Sequence, residues 1–199
     1  MPYNFSNSAQ RWRDDDTGRF VSNDTVVENM RTLQTATYDT LDNLTRNLYQ
    51  GRITVAQWQI GVASELKDAH LAQSMFAVGG RNNMTQANFG RVGGVLADEY
   101  RYLTRFANQI ANGDISEAQA LARIRQYGNA TQQSYYREYA NATPNNEQIY
   151  WRLSPAEHCP DCLDLASNSP YKPADLPTVP GAGQTRCRGN CKCTLERAV

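Results

Sequence analysis

All five cysteines of this 199-residue chain lie between Cys159 and Cys193, in two clusters. The first is Cys159-Pro160-Asp161-Cys162; after 24 residues comes Cys187-Arg188-Gly189-Asn190-Cys191-Lys192-Cys193. A C-x-x-C turn presents two thiolates to one tetrahedral ion at about 2.3 Å from each sulfur, and the second cluster can supply two more. In an extended strand side chains alternate, so Cys191 and Cys193 share a face. Cys191 with Cys193 is therefore one feasible pair, and Cys187 with Cys191 another. Cys159, Cys162, Cys187, Cys191 and Cys193 are the candidate ligands, five thiols for four positions. Thiolate ligation favours zinc over the oxygen-seeking magnesium and calcium. One structural zinc per chain is the expectation. Four thiolates around one Zn²⁺ would leave a net charge of about −2, and Arg186, Arg188, Lys192 and Arg197 flank the second cluster.

Rival chemistries for the same residues are a redox C-x-x-C, a catalytic zinc and uncoordinated thiols. The redox form lacks a βαβ setting around Cys159 and does not need a second cluster. A catalytic zinc needs an open position and a base, for which Glu157, Asp161 and Glu196 are the nominal candidates. His158 adjoins the first cluster and could replace a thiolate. His70 belongs to no H-E-x-x-H pattern and reads as a satisfied core or surface histidine. Tyr135, Tyr136 and Tyr139 read as packing groups. No phosphate loop, dinucleotide fingerprint or Ser/His/Asp set stands out, so the chain is not expected to be an enzyme or to take a small-molecule substrate.

A segment as short and proline-rich as residues 150–199 cannot offset its ordering entropy by burial alone. It holds six of the eight prolines and every cysteine, without helical period. It reads as a cysteine-rich zinc module bounded near Tyr150-Trp151. Residues 24–149 read instead as a helical domain. Apolar steps of three and four run through Val26, Met30, Leu33, Thr37, Leu41, Leu44 and Leu48. A second stripe runs through Trp58, Val62, Leu66, Ala69 and Phe76, widened by Ile60, Leu71, Met75 and Val78, which predicts a central helix. Thr25/Glu28, Thr54/Gln57 and Ser116/Gln119 each have capping-box spacing. A third helix is expected from near Thr85 to Ala111. Gly90, Gly93 and Gly94 in its first turns imply either a close backbone neighbour or a start after Gly94. The fourth is expected to continue through Leu121, Ile124, Tyr127, Tyr135 and Tyr139 to the break at Thr143-Pro144.

Residues 1–23 lack periodicity and read as an extended arm, disordered alone or ordered on a partner with Trp12 and Phe20 as anchors. Charge is balanced overall and locally: three of each sign in residues 1–23, 11 basic against 12 acidic in 24–150, and 6 against 5 in 151–199. No segment has the basic footprint of non-specific DNA binding. The polar start has no apolar h-region and no run approaches a membrane span, so the chain is expected to be soluble, cytoplasmic at birth and free of membrane. The fold class is thus mainly α: a body of about four helices, an extended N-terminal arm and a small irregular or β zinc-bound C-terminal lobe.

Trp151-Arg152-Leu153, Cys159-Pro160-Asp161-Cys162-Leu163-Asp164-Leu165-Ala166 and Asn190-Cys191-Lys192-Cys193-Thr194-Leu195 together resemble the C-terminal signature of phage head morphogenesis proteins. These are the minor head proteins typified by the F protein of phage Mu. The likeness covers about residues 150–196 and is architectural over 24–149. Many members carry His-Pro shortly before the last cysteine pair, where this chain has Cys187 followed by Arg188-Gly189-Asn190; cysteine for histidine preserves zinc ligation. The resemblance implies a few-copy minor capsid protein of the virion, present in the host cytoplasm during assembly. Portal or major capsid subunits would be its partners, with contact to packaged DNA a further expectation. The competing class is a zinc-stabilised nucleic-acid-binding module using Arg186, Arg188, Lys192 and Arg197.

Overall fold

The computed structural model describes residues 2–6 and 8–197; Met1 and Asn7 of the expected arm, and Ala198 and Val199 of the expected zinc module, lie outside them. The chain is mainly α, as its periodicity predicts. Five helices form the body: α1 (Asn23–Tyr49), α2 (Val55–Ala77), α3 (Gln86–Ala111), α4 (Glu117–Ala130) and α5 (Gln132–Asn141). Strands β1 (Tyr3–Ser6), β2 (Arg11–Asp14) and β3 (Phe20–Val21) precede them, and β4 (Ile149–Arg152), a short α6 (Pro160–Ser167) and β5 (Thr194–Arg197) follow.

Helix α2 is central, touching all four other body helices. Its Trp58, Val62 and Leu66 are fully buried with Leu41 of α1, Phe106 of α3 and Ile124 of α4. Trp58 meets Phe106 edge to face at 5.1 Å, and its indole N–H donates to Thr45 Oγ1 at 3.1 Å. Ile60, expected to widen this stripe, points outward and is 71 % exposed. The capping boxes at Thr54/Gln57 and Ser116/Gln119 both form. At α1 the cap is Ser22 rather than Thr25: its hydroxyl accepts the Thr25 N–H at 3.1 Å. Thr85 and Asn88 close a further box that starts α3 at Gln86, so Gly90, Gly93 and Gly94 lie inside the helix, with open space where side chains would stand.

The expected fourth helix is two. Thr131 turns its hydroxyl onto the Gly128 carbonyl at 2.8 Å, and the chain bends there into α5. Gly128 is held to glycine by Tyr38, whose ring would lie 2.7 Å from an added Cβ.

The first residues are paired rather than free. β1, β2 and β3 form an antiparallel sheet with Trp12 opposite both Phe5 and Val21. Trp12 is buried, not presented to a partner: it stacks on Phe76 of α2 at 6.0 Å and meets Phe5 edge to face at 5.4 Å. Its indole N–H reaches Asn23 Oδ1 at 3.3 Å, and Phe5 N–H donates to the Gly79 carbonyl at 2.6 Å. Phe20, the other expected anchor, stays on the surface under the Arg11 guanidinium. The stack continues from Phe76 to Tyr135 and on to Tyr139, at 5.4 and 6.0 Å. Tyr139 in turn lies beneath Arg197 of β5, so an aromatic ladder joins the N-terminal sheet to the C-terminal lobe.

Candidate metal centre

β4 pairs antiparallel with β5, Trp151 opposite Leu195, and this ribbon closes the loop that carries the cysteines. Cys159 caps the N-terminus of α6, with Pro160 fitting the first helical position. The first helical turn then swings Cys162 back beside Cys159, and Cys162 N–H donates to the Cys159 carbonyl at 3.0 Å. Cys187 leads into a tight 3₁₀ turn, Arg188–Asn190, that delivers Cys191, and Cys193 precedes β5.

All five predicted thiols come together. Cys159, Cys162 and Cys187 form one group with sulfurs within 4.8 Å of one another; Cys162, Cys191 and Cys193 form a second. Cys162 belongs to both. Its sulfur lies 3.6 Å from that of Cys187 and 3.7 Å from that of Cys191. Four sulfurs each about 2.3 Å from one ion stand about 3.8 Å apart along the edges of the tetrahedron. Both observed separations fit that edge, and no disulfide ties the thiols. The cluster is compatible with a metal site.

The surroundings set how readily the thiols ionise. Burial pushes the Cys162 thiol up, reinforced by the thiols of Cys159 and Cys187; burial also raises Cys187 and Cys191. Cys159 is the exception: its burial is outweighed by the backbone N–H groups of Cys162 and Cys187, which point at its sulfur and hold it below the usual thiol range. Thiols crowded in a buried pocket resist ionising together, and a bound cation inverts that balance.

His158 sits at the edge of the cluster. Its Nε2–H donates to the Ser154 carbonyl at 2.7 Å, which leaves Nδ1 as the acceptor, 3.5 Å from the Cys193 sulfur. Such an outer hydrogen bond is how ligating histidines are oriented. Thr185 Oγ1 lies 3.1 Å from the Cys187 sulfur, a contact that only its position two residues before a cysteine could have suggested. The nominal bases are engaged elsewhere: Asp161 accepts the Arg186 N–H at 2.7 Å and Glu196 pairs with Arg152 at 2.6 Å, while Glu157 is exposed.

The lobe is seated on the body. Tyr136 and Tyr139 of α5 pack against the cluster that contains Ile149, Trp151 and Leu195, as packing groups should. Gln132 Nε2 donates to the Cys191 carbonyl at 2.7 Å, and Gly189 lies so close to α4 that a Cβ would stand 2.4 Å from the Gln126 carbonyl oxygen.

His70 is a satisfied core histidine. It is fully buried; with Nε2–H donating to Glu99 at 2.9 Å, Nδ1 accepts the Ser134 hydroxyl at 2.7 Å. These residues from α2, α3 and α5 form a serine–histidine–carboxylate row that sequence spacing concealed. Ser134 is 2 % exposed, so the row is a core polar network rather than an open site. Among the described residues no helix is long and apolar enough to cross a membrane. Comparison with family models, with curated proteins and with solved structures found no match to this chain.

Proposed function

We propose that the chain is a minor structural protein of a tailed-phage head, built as a helical body whose C-terminal lobe is locked by one structural zinc. The observation that carries the reading is the convergence of both cysteine clusters on Cys162, in the segment that resembles the head-morphogenesis signature. Zinc would be held by four of Cys159, Cys162, Cys187, Cys191 and Cys193 and would act as a cross-link. The chain would be present in few copies and would contact portal or major capsid subunits, reaching the virion from the host cytoplasm.

The nucleic-acid reading draws less support. Of its four basic residues, Arg186 pairs with Asp161 at 3.5 Å, and Arg197 donates to Thr143 at 2.9 Å while lying over Tyr139.

Purification of the tagged full chain during head assembly tests both readings. A co-purifying portal or capsid subunit, with about one zinc per chain, is the expected outcome. DNA affinity that falls steeply with salt, without any head subunit, would establish the rival.

A further inference from the structure

An open cleft of about 850 Å³ runs between the helical body and the C-terminal lobe. One wall is formed by α3, α4 and α5; the other is the Gly181–Gln184 loop and the Arg188-Gly189 turn. Four arginines line it, and their partners differ. Arg91 is tied to buried Glu138 at 2.6 Å. Among the described residues, Arg123, Arg137 and Arg188 have no carboxylate partner. Arg123 rests on the Phe106 ring at 4.3 Å and donates to Gln109. Arg137 reaches Gln133 only at 3.4 Å, and its buried Nε has no hydrogen-bond partner among the described residues. Arg188 is an arginine at φ 49°, in the left-handed region that favours glycine.

The acids on the same walls do not neutralise them. Asp98 pairs with Arg101, and both oxygens of Glu99 are taken by His70 and Gln133. A buried donor without a partner is costly, and charged donors more so. An oxyanion in the open part of the cleft would give Arg123, Arg137 and Arg188 the charged partner that the described carboxylates do not. Arg123 of α4, Arg137 of α5 and Arg188 of the cysteine-rich lobe line the cleft from separate elements, an arrangement that suits a phosphate with several oxygens to share better than a single planar carboxylate. Tyr102, 57 % exposed on the same wall with the Arg105 guanidinium over one face of its ring at 5.7 Å, leaves the other face on which a base could stack.

We propose that this cleft binds a phosphate-bearing ligand of nucleotide type, with Arg123, Arg137 and Arg188 on the phosphate and Tyr102 against the ring. The source is either a free nucleotide or the end of a nucleic-acid strand. The proposal rests on the cleft and does not require the head-assembly reading.

Titration of the full, zinc-loaded chain at fixed ionic strength with pyrophosphate, with ADP and with a 5′-phosphorylated single-stranded DNA decamer tests it. Saturable binding of at least one probe is expected. Arg137→Gln and Arg188→Gly should each weaken it about ten-fold, the size of one charged hydrogen bond. Arg188→Gly keeps the fold secure, because glycine suits that backbone angle. Arg186→Gln, whose side chain pairs with Asp161 instead, should change nothing. Tighter binding of ADP than of the decamer identifies a free nucleotide as the source; the reverse identifies a strand end. Absence of saturable binding by all three probes at millimolar concentration, or binding that ignores both substitutions, would overturn the proposal.

Discussion

The two ends of this chain solve the same problem by different means. Each is a short β-paired segment that must be fastened to a helical body, and each meets the same aromatic ladder, Trp12 against Phe76 at one end and Arg197 over Tyr139 at the other. The N-terminal sheet is fastened by apolar contact and backbone: one buried tryptophan, plus a Phe5 hydrogen bond to the end of α2. The C-terminal lobe has more to order and less apolar surface with which to do it. Of the seven residues it contributes to its buried cluster, three are cysteines, Cys162, Cys191 and Cys193. Thiols are weak packing groups for an irregular, proline-rich loop, but they are good ligands. A single large aromatic suffices where strands pair at once with their neighbours in sequence. A long irregular loop between two distant strands brings its thiols together at its centre, where the proposed zinc would cross-link it.

Breaking each fastening separately tests that contrast. The largest effect is expected at Cys162, which both thiol groups share. Cys162→Ala should abolish zinc binding, worth on the order of 10 kcal/mol in comparable small modules. Elemental analysis should then find almost no zinc, and protease should cut within residues 149–197 while the helical signal of α1–α5 persists. Acid should mimic this substitution in the unaltered chain. Ligation requires thiolates, so protons compete as pH falls, and metal should leave on the acid rather than the alkaline side. Zinc retention after Cys162→Ala would remove the shared thiol from the centre.

At the other end Trp12→Ala should cost about 3 kcal/mol by emptying the pocket over Phe76. Denaturant unfolding would show the loss with zinc content unchanged. An unaltered midpoint would mean that the sheet is not fastened there. Gly189→Ala probes the seat of the lobe rather than its cross-link. The added Cβ meets the Gln126 carbonyl oxygen, so a loss of about 1–3 kcal/mol is expected, with zinc retained and the lobe more open to protease. Smallest of all, Ser22→Ala should cost about 1 kcal/mol at the start of α1, and Thr25→Ala much less, because the hydroxyl that accepts an amide is that of Ser22. Equal effects on the unfolding midpoint would restore Thr25 as the cap.

How far the sequence could be read followed the range of the interactions. The stripe on α2, its central place and the boxes at Thr54 and Ser116 were legible, because each depends on residues three or four apart. The start of α1 was misplaced by three residues, since Ser22 and Thr25 both have capping chemistry and only backbone geometry chooses between them. The break at Thr131 was hidden by tyrosines that kept a helical period across it. Gly90, Gly93 and Gly94 suggested either a close neighbour or a start after Gly94, yet the helix starts at Gln86 and carries all three on an open face. For the candidate site, the two cysteine clusters and their compatibility with a metal were plain from spacing. Invisible were the outer contacts, Ser154 on His158 and Thr185 on Cys187, and the buried His70–Glu99–Ser134 row.

What the sequence by itself determined was therefore local: helical periods, two of the helix caps and the identity of the five thiols. Only the tertiary structure decided that Trp12 turns inward onto Phe76, that Cys162 is common to both sulfur groups, and that Arg123, Arg137 and Arg188 face one cleft. The physical reason is distance along the chain. A cap or an amphipathic stripe is fixed by neighbours within one or two turns. Contacts between residues 64 or 25 positions apart form only when the whole chain has chosen its packing, and that choice is a property of every element together.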